Sequence, residues 1–111
     1  MKKYIVIYYA PFTAADRMNA TKNDDMKESM KPWMEWMKKC GNNLVDMGSP
    51  LGKAIKITKK GAVPSKKNIV GYSILQADSI EKAEEILKVH PHLNLDDACE
   101  IEVYETIPIP M

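Results

Sequence analysis

An apolar stripe with helical spacing runs through residues 25–52 and constrains the fold more than any other stretch of the chain. Its members recur at alternating steps of four and three residues, and they are Met26, Met30, Trp33, Met37, Cys40, Leu44 and Met47. This spacing places side chains on one face of an amphipathic helix. Trp36 lies one turn from both Trp33 and Cys40, so it widens the stripe into a broad apolar face that the rest of the chain must cover.

Local sequence patterns mark the ends of this predicted helix. Asp25 and Glu28 make a capping-box pattern, which is typical of a helix start. Pro32 lacks an amide donor and clashes with the preceding turn, so either the helix kinks there or its regular part starts near Ser29, with Pro32 in the tolerant first turn. Gly48, with Pro50 close behind it, predicts the end of the helix.

Two segments are apolar on both of their alternating faces, which is typical of central strands. Residues 3–9 are almost entirely Tyr, Ile and Val, and residues 68–76 place Val70, Tyr72 and Ile74 opposite other apolar positions. β-branched and aromatic side chains favour extended structure. Residues 12–23 form a polar connection that is long for a compact domain, and we expect a flap or a specific loop there.

Two further strands alternate apolar and polar residues, which predicts the edges of a sheet. In residues 53–59 lysines flank the apolar positions, and in residues 99–107 glutamates alternate with Ile101 and Val103. Charged side chains on a strand discourage pairing with a further chain, as edges require. We therefore expect residues 53–59 and 99–107 at the two sides of the sheet.

A second, shorter helix is predicted between the last two strands. Asp78 and Glu81 make another capping-box pattern, and Pro91 terminates the helix. The element order is then β-α-β-β-α-β with the first and third strands central, which matches an α+β, ferredoxin-like antiparallel sheet of order 4-1-3-2. Right-handed crossovers place both helices on one face of the sheet. We expect residues 1–111 to form a single domain of this kind.

The face of the sheet away from the helices is the basis of a prediction about assembly. The central strands are apolar on both sides, so this second face presents an apolar patch. Such a patch is normally buried against a partner. We expect a homodimer in which two sheets pack face to face, which is the arrangement of a dimeric α+β barrel.

Charge and motifs argue against several classes of partner. Lys plus Arg number 16 and Asp plus Glu number 15, so the net charge of +1 creates no global field for nucleic acid or an anionic membrane. The apolar run at residues 4–10 is too short to span a membrane, and no small-residue cleavage site follows it. We expect a soluble, cytoplasmic protein in which Cys40 and Cys99 are reduced. Neither a glycine-rich phosphate loop nor a Cys-x-x-Cys motif is present, so no familiar cofactor is supported.

His90 and His92 are the candidate catalytic residues. They flank Pro91 where the second helix ends, and the helix dipole there favours the charged form of His90, which makes it a candidate acid whose tautomer Asp96 or Asp97 would hold. The other interpretation is that His90 is a core-edge residue that caps the helix. Two histidines at this spacing, with no third ligand placed by the sequence, do not predict a metal site.

Five other residues are candidate ligand-binding residues, and they are Tyr8, Trp33, Trp36, Asp46 and Tyr72. The four aromatic side chains suit an apolar pocket between helix and sheet or at the mouth of a barrel, with core packing as the alternative. Asp46 falls at the negative end of the predicted helix, where an anion is unfavourable, and this mismatch indicates a specific partner. An exposed carboxylate is the alternative for Asp46.

Six stretches of the chain together carry a family resemblance. They are KYIVIYY (3–9), WMEWM (33–37), LVDMGSPLG (44–52), GYSI (71–74), ADS (77–79) and HPHL (90–93). This set resembles the YCII-related family of the dimeric α+β barrel superfamily. The resemblance implies the fold described above, and it implies much less about activity because many members of that family have no assigned reaction.

The resemblance also indicates which catalytic features are missing. Some YCII-type members resemble enzymes with a His-Asp pair, the histidine on the first helix and the aspartate in an Asp-Pro-Tyr turn before the last strand. In this chain, residues 90–92 are His-Pro-His at the position of the turn, and residues 31–33 near the expected histidine are Lys-Pro-Trp. The Asp-Gly-Pro-Phe turn of another branch is replaced by residues 60–64, Lys-Gly-Ala-Val-Pro. An inherited mechanism is therefore not predicted.

Three hypotheses about function follow. In the first, a homodimeric barrel binds a small organic ligand in a cleft lined by Tyr8, Trp33, Trp36, Tyr72 and His90. In the second, the protein is a cofactor-free enzyme of the isomerase, lyase or monooxygenase type, with His90 or His92 as general acid or base. In the third, the dimer is structural or binds another protein, without a small ligand.

Overall fold

The computed structural model describes residues 1–12, 23–65 and 67–110. In chain order its elements are β1 (Lys2–Tyr9), α1 (Asn23–Cys40), β2 (Leu44–Pro50), β3 (Ile55–Thr58), β4 (Gly61–Pro64), β5 (Ile69–Ala77), α2 (Ile80–Lys88) and β6 (Glu100–Glu105). Short 3-10 helices at Gly41–Asn43 and Pro91–Asn94 follow the two α-helices. Most of the connection predicted to be a flap, residues 13–22, lies outside the described residues.

Four of the strands form one antiparallel sheet in the order β2-β5-β1-β6. β1 pairs with β5 on one side and with β6 on the other, so β1 and β5 are the central strands. The predictions of central strands at residues 3–9 and 68–76, and of an edge strand at residues 99–107, are confirmed. With its two helices, the sheet makes an α+β architecture that is compatible with a ferredoxin-like fold.

Both helices pack against the same face of this sheet. Alternate residues of β1 on that face, Tyr4, Val6 and Tyr8, are buried. Trp36 and Cys40 of α1 and Leu87 of α2 complete a core with Val6, Tyr8 and Leu75, while Ala83 of α2 packs near Tyr4 and Ala77. Cys40 and Cys99 are both buried, and they form no disulfide with each other.

The first helix is shorter than its apolar stripe predicts. It ends at Cys40, and Leu44 and Met47, the last members of the stripe, lie in strand β2 instead. Gly41 follows the helix with a φ of +52°, a left-handed conformation that ends helices and that only glycine adopts at no cost. The prediction of a helix up to Gly48 is therefore wrong, because a four-three spacing of apolar residues is also produced when a helix is followed by a strand of mixed pattern.

The edge of the sheet predicted at residues 53–59 is also wrong, because β2 occupies that position. β3 pairs only with β4, in a separate two-stranded hairpin. β2 pairs with β5 through an irregular register, and a Cβ added at Gly48 would lie 1.7 Å from the backbone oxygen of Tyr72. The close approach of the two backbones requires glycine at this position. Gly48, which was predicted to end the helix, instead permits β2 to pair with β5.

The starts of the two helices also differ in detail from the capping-box predictions. α1 begins at Asn23, two residues before the predicted Asp25, and runs through Pro32. α2 is capped by Ser79, whose side chain accepts a hydrogen bond from the Lys82 backbone N–H at 3.2 Å. Serine is as good an N-cap as aspartate. Ser79 is one residue closer to the helix than the predicted cap Asp78, and it makes the capping bond instead.

Candidate functional site

Five aromatic and imidazole rings from three parts of the chain meet on the helix-covered face of the sheet, and we call them the His90 cluster. Its members are Tyr8 of β1, Trp33 and Trp36 of α1, and His90 and His92 at the start of the second 3-10 helix. The ring centroid of His90 lies 4.9 Å from that of Tyr8, 4.4 Å from Trp33 and 4.3 Å from Trp36. The cluster thus surrounds His90 with aromatic rings from both sheet and helix.

His90 is held in one orientation by the turn that follows it. Its side chain caps the 3-10 helix, because Nδ1 accepts a hydrogen bond from the His92 backbone N–H at 2.9 Å. An accepting nitrogen carries no proton, so the neutral ring bears its proton on Nε2. His90 is 1% exposed, and Nε2 has no hydrogen-bond partner among the described residues. The cluster therefore contains a buried donor that remains free among these residues.

His92 ties the same turn to the first strand. Its Nε2 lies 2.8 Å from the carbonyl oxygen of Tyr9, so Nε2 carries a proton and donates it to that oxygen. The ring centroid lies 5.2 Å from that of Tyr8. His92 is 2% exposed and thus serves mainly to fix the loop against β1.

Tyr8 extends the cluster through a chain of hydrogen bonds across three strands. Its hydroxyl donates to Ser73 Oγ of β5 at 2.8 Å, and that hydroxyl donates to the Met47 carbonyl oxygen of β2 at 2.6 Å. Burial raises the pKa of Tyr8 to about 12. Sequence reasoning missed Ser73, although a lone serine at a buried position of a central strand is a sign of a polar partner nearby.

Trp36 connects the cluster to the second helix. Its indole Nε1 donates to the Ile86 carbonyl oxygen at 3.0 Å, in the last turn of α2, where carbonyl groups lack intrahelical partners. Trp33, three residues earlier, meets the edge of Tyr8 with ring centroids 5.6 Å apart. The spacing of three residues on α1 places both indoles on the sheet-facing side of the helix.

The electrostatic environment of His90 is opposite to the one predicted from its position after a helix. Burial, followed by the proximity of His92, lowers the pKa of His90 to about 3. The ring is neutral at pH 7 because desolvation penalises the imidazolium more than the helix dipole favours it. Neither Asp96 nor Asp97 holds the His90 tautomer, because Nδ1 accepts from the His92 backbone N–H and Nε2 has no partner among the described residues.

Two of the predicted ligand-binding residues lie away from the His90 cluster. Tyr72 pairs with Ile7 across the sheet, on the face opposite to Tyr8. Asp46 is exposed in β2, where its carboxylate accepts a hydrogen bond from the Gly48 backbone N–H at 2.8 Å. The predicted helix-terminal position of Asp46, and the dipole argument attached to it, are wrong because the helix ends six residues earlier.

A surface pocket of about 140 Å³ adjoins the cluster, between α1 and the loop that follows α2. Its lining residues are Pro32, Glu35, Trp36, Lys39, Val89, Pro91 and Asn94. Trp36 is shared with the His90 cluster, and Pro91 is next to His90 in the chain. The pocket therefore lies beside Trp36, while His90 is not among its lining residues.

No protein-family model matches this chain, and no curated protein is similar to it. Within the described part of the chain, no group of three or more His, Cys, Asp or Glu side chains is placed to hold a metal ion. Among the described helices, none is long and apolar enough to cross a membrane. The site must therefore be interpreted from its own geometry.

Proposed function

We propose that this chain is a YCII-like, ferredoxin-like subunit of a homodimeric α+β barrel, and that it binds a small organic ligand at the His90 cluster. The ligand carries a hydrogen-bond acceptor, such as a carbonyl or ester oxygen, and a planar or apolar body. The four-stranded antiparallel sheet, with two helices on one face, supports the choice of fold.

The observation that carries the ligand proposal is the free Nε2–H of His90. A buried donor without a partner costs about 1–3 kcal/mol, so native proteins rarely retain one without a use. The rings of Tyr8, Trp33 and Trp36 pack around the His90 ring, so the surroundings of this donor are apolar and suit an organic molecule. A ligand oxygen at Nε2 would satisfy the donor, while Trp36 would contact the rest of the ligand from the adjoining pocket.

Binding is favoured over acid–base catalysis by the state of the same histidine. Its Nδ1 is occupied by the His92 N–H, and its pKa of about 3 keeps the ring neutral at pH 7. A general base is most effective with a pKa near the working pH. His92 is a poorer candidate still, because its Nε2 is already bonded to the Tyr9 carbonyl.

The proposal of a homodimer rests on the open face of the sheet. Ile5, Ile7, Tyr72 and Ile74 lie side by side there on the two central strands, and each is half-buried within one chain. Tyr104 of β6 pairs with Ile5 on the same face and is 50% exposed. A second copy, related by a two-fold axis, would cover this face with the same residues from the partner.

Native mass spectrometry of freshly purified protein tests the ligand proposal. We expect a retained mass in the wild type that is lost in His90→Asn, a variant that keeps a side-chain oxygen to accept from the His92 N–H but removes Nε2–H. Tyr72→Phe, on the other face of the sheet, is the matched control and keeps the mass. Retention of the same mass by His90→Asn would refute a ligand at His90. If the wild type retains no mass, a library of carbonyl-bearing aromatics is added to ¹⁵N-labelled protein. No change in the NMR chemical shift of the His90 ring nitrogens would then refute the ligand as well.

Analytical ultracentrifugation tests the dimer separately. We expect a wild-type dimer and an Ile74→Glu monomer, because a charge at the centre of the apolar face cannot be buried without a partner. Met34→Glu, on an exposed part of α1, is the control and stays dimeric. A wild-type monomer, or an Ile74→Glu dimer as tight as the control, would contradict the face-to-face arrangement.

A further inference from the structure

One hairpin of the chain lies outside the four-stranded sheet, and among the described residues its two strands pair only with each other. We call residues 53–65 the lysine hairpin, and they include strands β3 and β4. Every residue of both strands is exposed, and the large apolar side chains Ile55, Ile57 and Val63 are 61%, 74% and 52% exposed. An isolated two-stranded hairpin is marginally stable in water. The lysine hairpin is therefore in need of a surface on which to pack.

The charge of the lysine hairpin indicates the sign of that surface. It contains Lys53, Lys56, Lys59 and Lys60 and no acidic residue. These four side chains are exposed, and none forms an ion pair with a described residue. Lys59 and Lys60 form the turn between β3 and β4, so two adjacent cations lie at the tip of the hairpin.

A surface of the opposite sign lies at the other side of the same molecule. We call residues 96–105 the acidic segment, which ends in strand β6, and its acidic residues are Asp96, Asp97, Glu100, Glu102 and Glu105, all exposed. The segment contains no lysine or arginine. Glu105 pairs with Lys2 at 3.0 Å, whereas Glu100 and Glu102 have no cationic partner among the described residues. Both of these glutamates lie on the open face, beside Tyr104.

The topology separates these two surfaces within one chain. The lysine hairpin leaves the sheet between β2 and β5, and β2 and β6 are opposite edges of the order β2-β5-β1-β6. Three strand spacings, about 14 Å, separate the two edges. Complementary patches at opposite edges suit a two-fold dimer, because a contact from hairpin to acidic segment is then made twice.

We propose that in the homodimer the lysine hairpin of each subunit docks on the acidic segment of the other, with Lys59 and Lys60 facing Glu100 and Glu102. Ile57 packs near Tyr104, so the exposed apolar residues of the hairpin are covered by the same contact. This inference rests on the proposed homodimer and specifies which surfaces close it. A second copy fits better than nucleic acid or an anionic membrane, because the hairpin cations are balanced within a chain whose net charge is only +1.

A charge swap tests this contact by the dimer dissociation constant, measured by sedimentation equilibrium at low salt. We expect Lys59→Glu/Lys60→Glu and Glu100→Lys/Glu102→Lys each to raise the constant of the homodimer by about tenfold or more, because like charges then face each other. A mixture of the two variants restores wild-type affinity as a heterodimer, since both of its contacts again join opposite charges. Lys82→Glu/Lys88→Glu on α2 is the control of equal charge change and leaves the constant unaltered.

The results of these experiments distinguish a failure of the docking contact from a failure of the homodimer itself. A wild-type monomer would refute the dimer and the docking together. A wild-type dimer that loses affinity in Ile74→Glu but not in either charge variant would refute the docking alone. Binding of the wild type to vesicles of phosphatidylcholine with phosphatidylserine, lost in Lys59→Glu/Lys60→Glu while the dimer constant stays the same, would replace the second copy by an anionic membrane as the occupant.

Discussion

Tyr8 and Tyr9 are neighbours on β1, and each has a pKa raised to about 12, yet the two phenols are protonated for different reasons. Tyr8 faces the helices, where burial is the main cause of its shift. Tyr9 faces the open side of the sheet, where a hydrogen bond to the Glu102 carboxylate is the main cause. A step of one residue along the strand thus moves a tyrosine hydroxyl from the buried core to a polar surface of the sheet.

The two faces of the sheet differ as a whole in the same way as these two tyrosines. The covered face has its aromatic and polar groups in fixed contacts, including Tyr8 with Ser73 and Trp36 with the Ile86 carbonyl. The open face has residues of the same chemical types, but within one chain they are only half-buried. Similar strand sequences therefore acquire different roles according to what covers them, and four measurements test this difference.

Loss of the Trp36 ring has the largest expected effect, because it removes the side chain that joins the sheet, α1 and α2. Trp36→Ala lowers the free energy of unfolding by about 3–5 kcal/mol, as is typical of a buried tryptophan. Trp36→Phe keeps most of the apolar contact and loses only the bond to the Ile86 carbonyl, so it costs about 1 kcal/mol. Urea unfolding followed by circular dichroism measures both. Equal losses for the two variants would show that the hydrogen bond, and not the packing, holds this face together.

The covered face also becomes less stable in acid through His90. Its folded pKa of about 3 lies below the value near 6.5 of an unfolded histidine, so the unfolded chain binds more protons between these pH values. Stability is fully present above pH ~6.5 and falls by about 1.4 kcal/mol per pH unit as the pH is lowered below it. Urea unfolding from pH 7 to pH 4 measures this slope. His90→Asn is expected to lower this slope by about 1.4 kcal/mol per pH unit, the contribution of one proton. Identical slopes in the two proteins would show that His90 is not the titrating group.

Removal of the Ser73 hydroxyl has an intermediate effect on the covered face. Ser73→Ala leaves the Tyr8 hydroxyl and the Met47 carbonyl without their partner, and buried unpaired groups cost about 1–3 kcal/mol. Tyr8→Phe in the Ser73→Ala background recovers part of that loss, since it removes the orphaned donor. A double-mutant cycle of unfolding free energies measures the coupling. Strict additivity would mean that the two hydroxyls do not share a bond.

The smallest effect is on the open face, where Glu102→Gln removes the charge that holds the Tyr9 proton. We expect the pKa of Tyr9 to fall from about 12 toward its ordinary value of about 10, while that of Tyr8 stays the same. The free energy of unfolding of the single chain changes by less than about 1 kcal/mol, because Glu102 is exposed and Tyr9 only half-buried there. Ultraviolet titration of tyrosinate, with Tyr9→Phe as the control for assignment, measures the shift. A Tyr9 that titrates identically in both proteins would remove the distinction between the two phenols.

Much of this architecture was predictable from local patterns in the sequence. The two strands that are apolar on both sides became the central strands, and the alternating glutamates of residues 99–107 became an edge. Of the five residues predicted to line the cleft, Tyr8, Trp33, Trp36 and His90 lie in contact in the folded chain, whereas Tyr72 lies on the other face of the sheet. Side-chain periodicity and rigidity are local properties, so a linear sequence expresses them directly.

Which segments are apolar, and on how many sides, follows from the order of the residues alone, because hydrophobic periodicity is a local property. The packing of the folded chain places Leu44–Pro50, and not residues 53–59, at the edge beside β5. It also decided that Tyr72 lies opposite the cluster and that His90 is neutral. Each of these depends on groups distant in the chain: the Tyr72 backbone that Gly48 must approach, the register with Ile7, and the rings that keep water from His90.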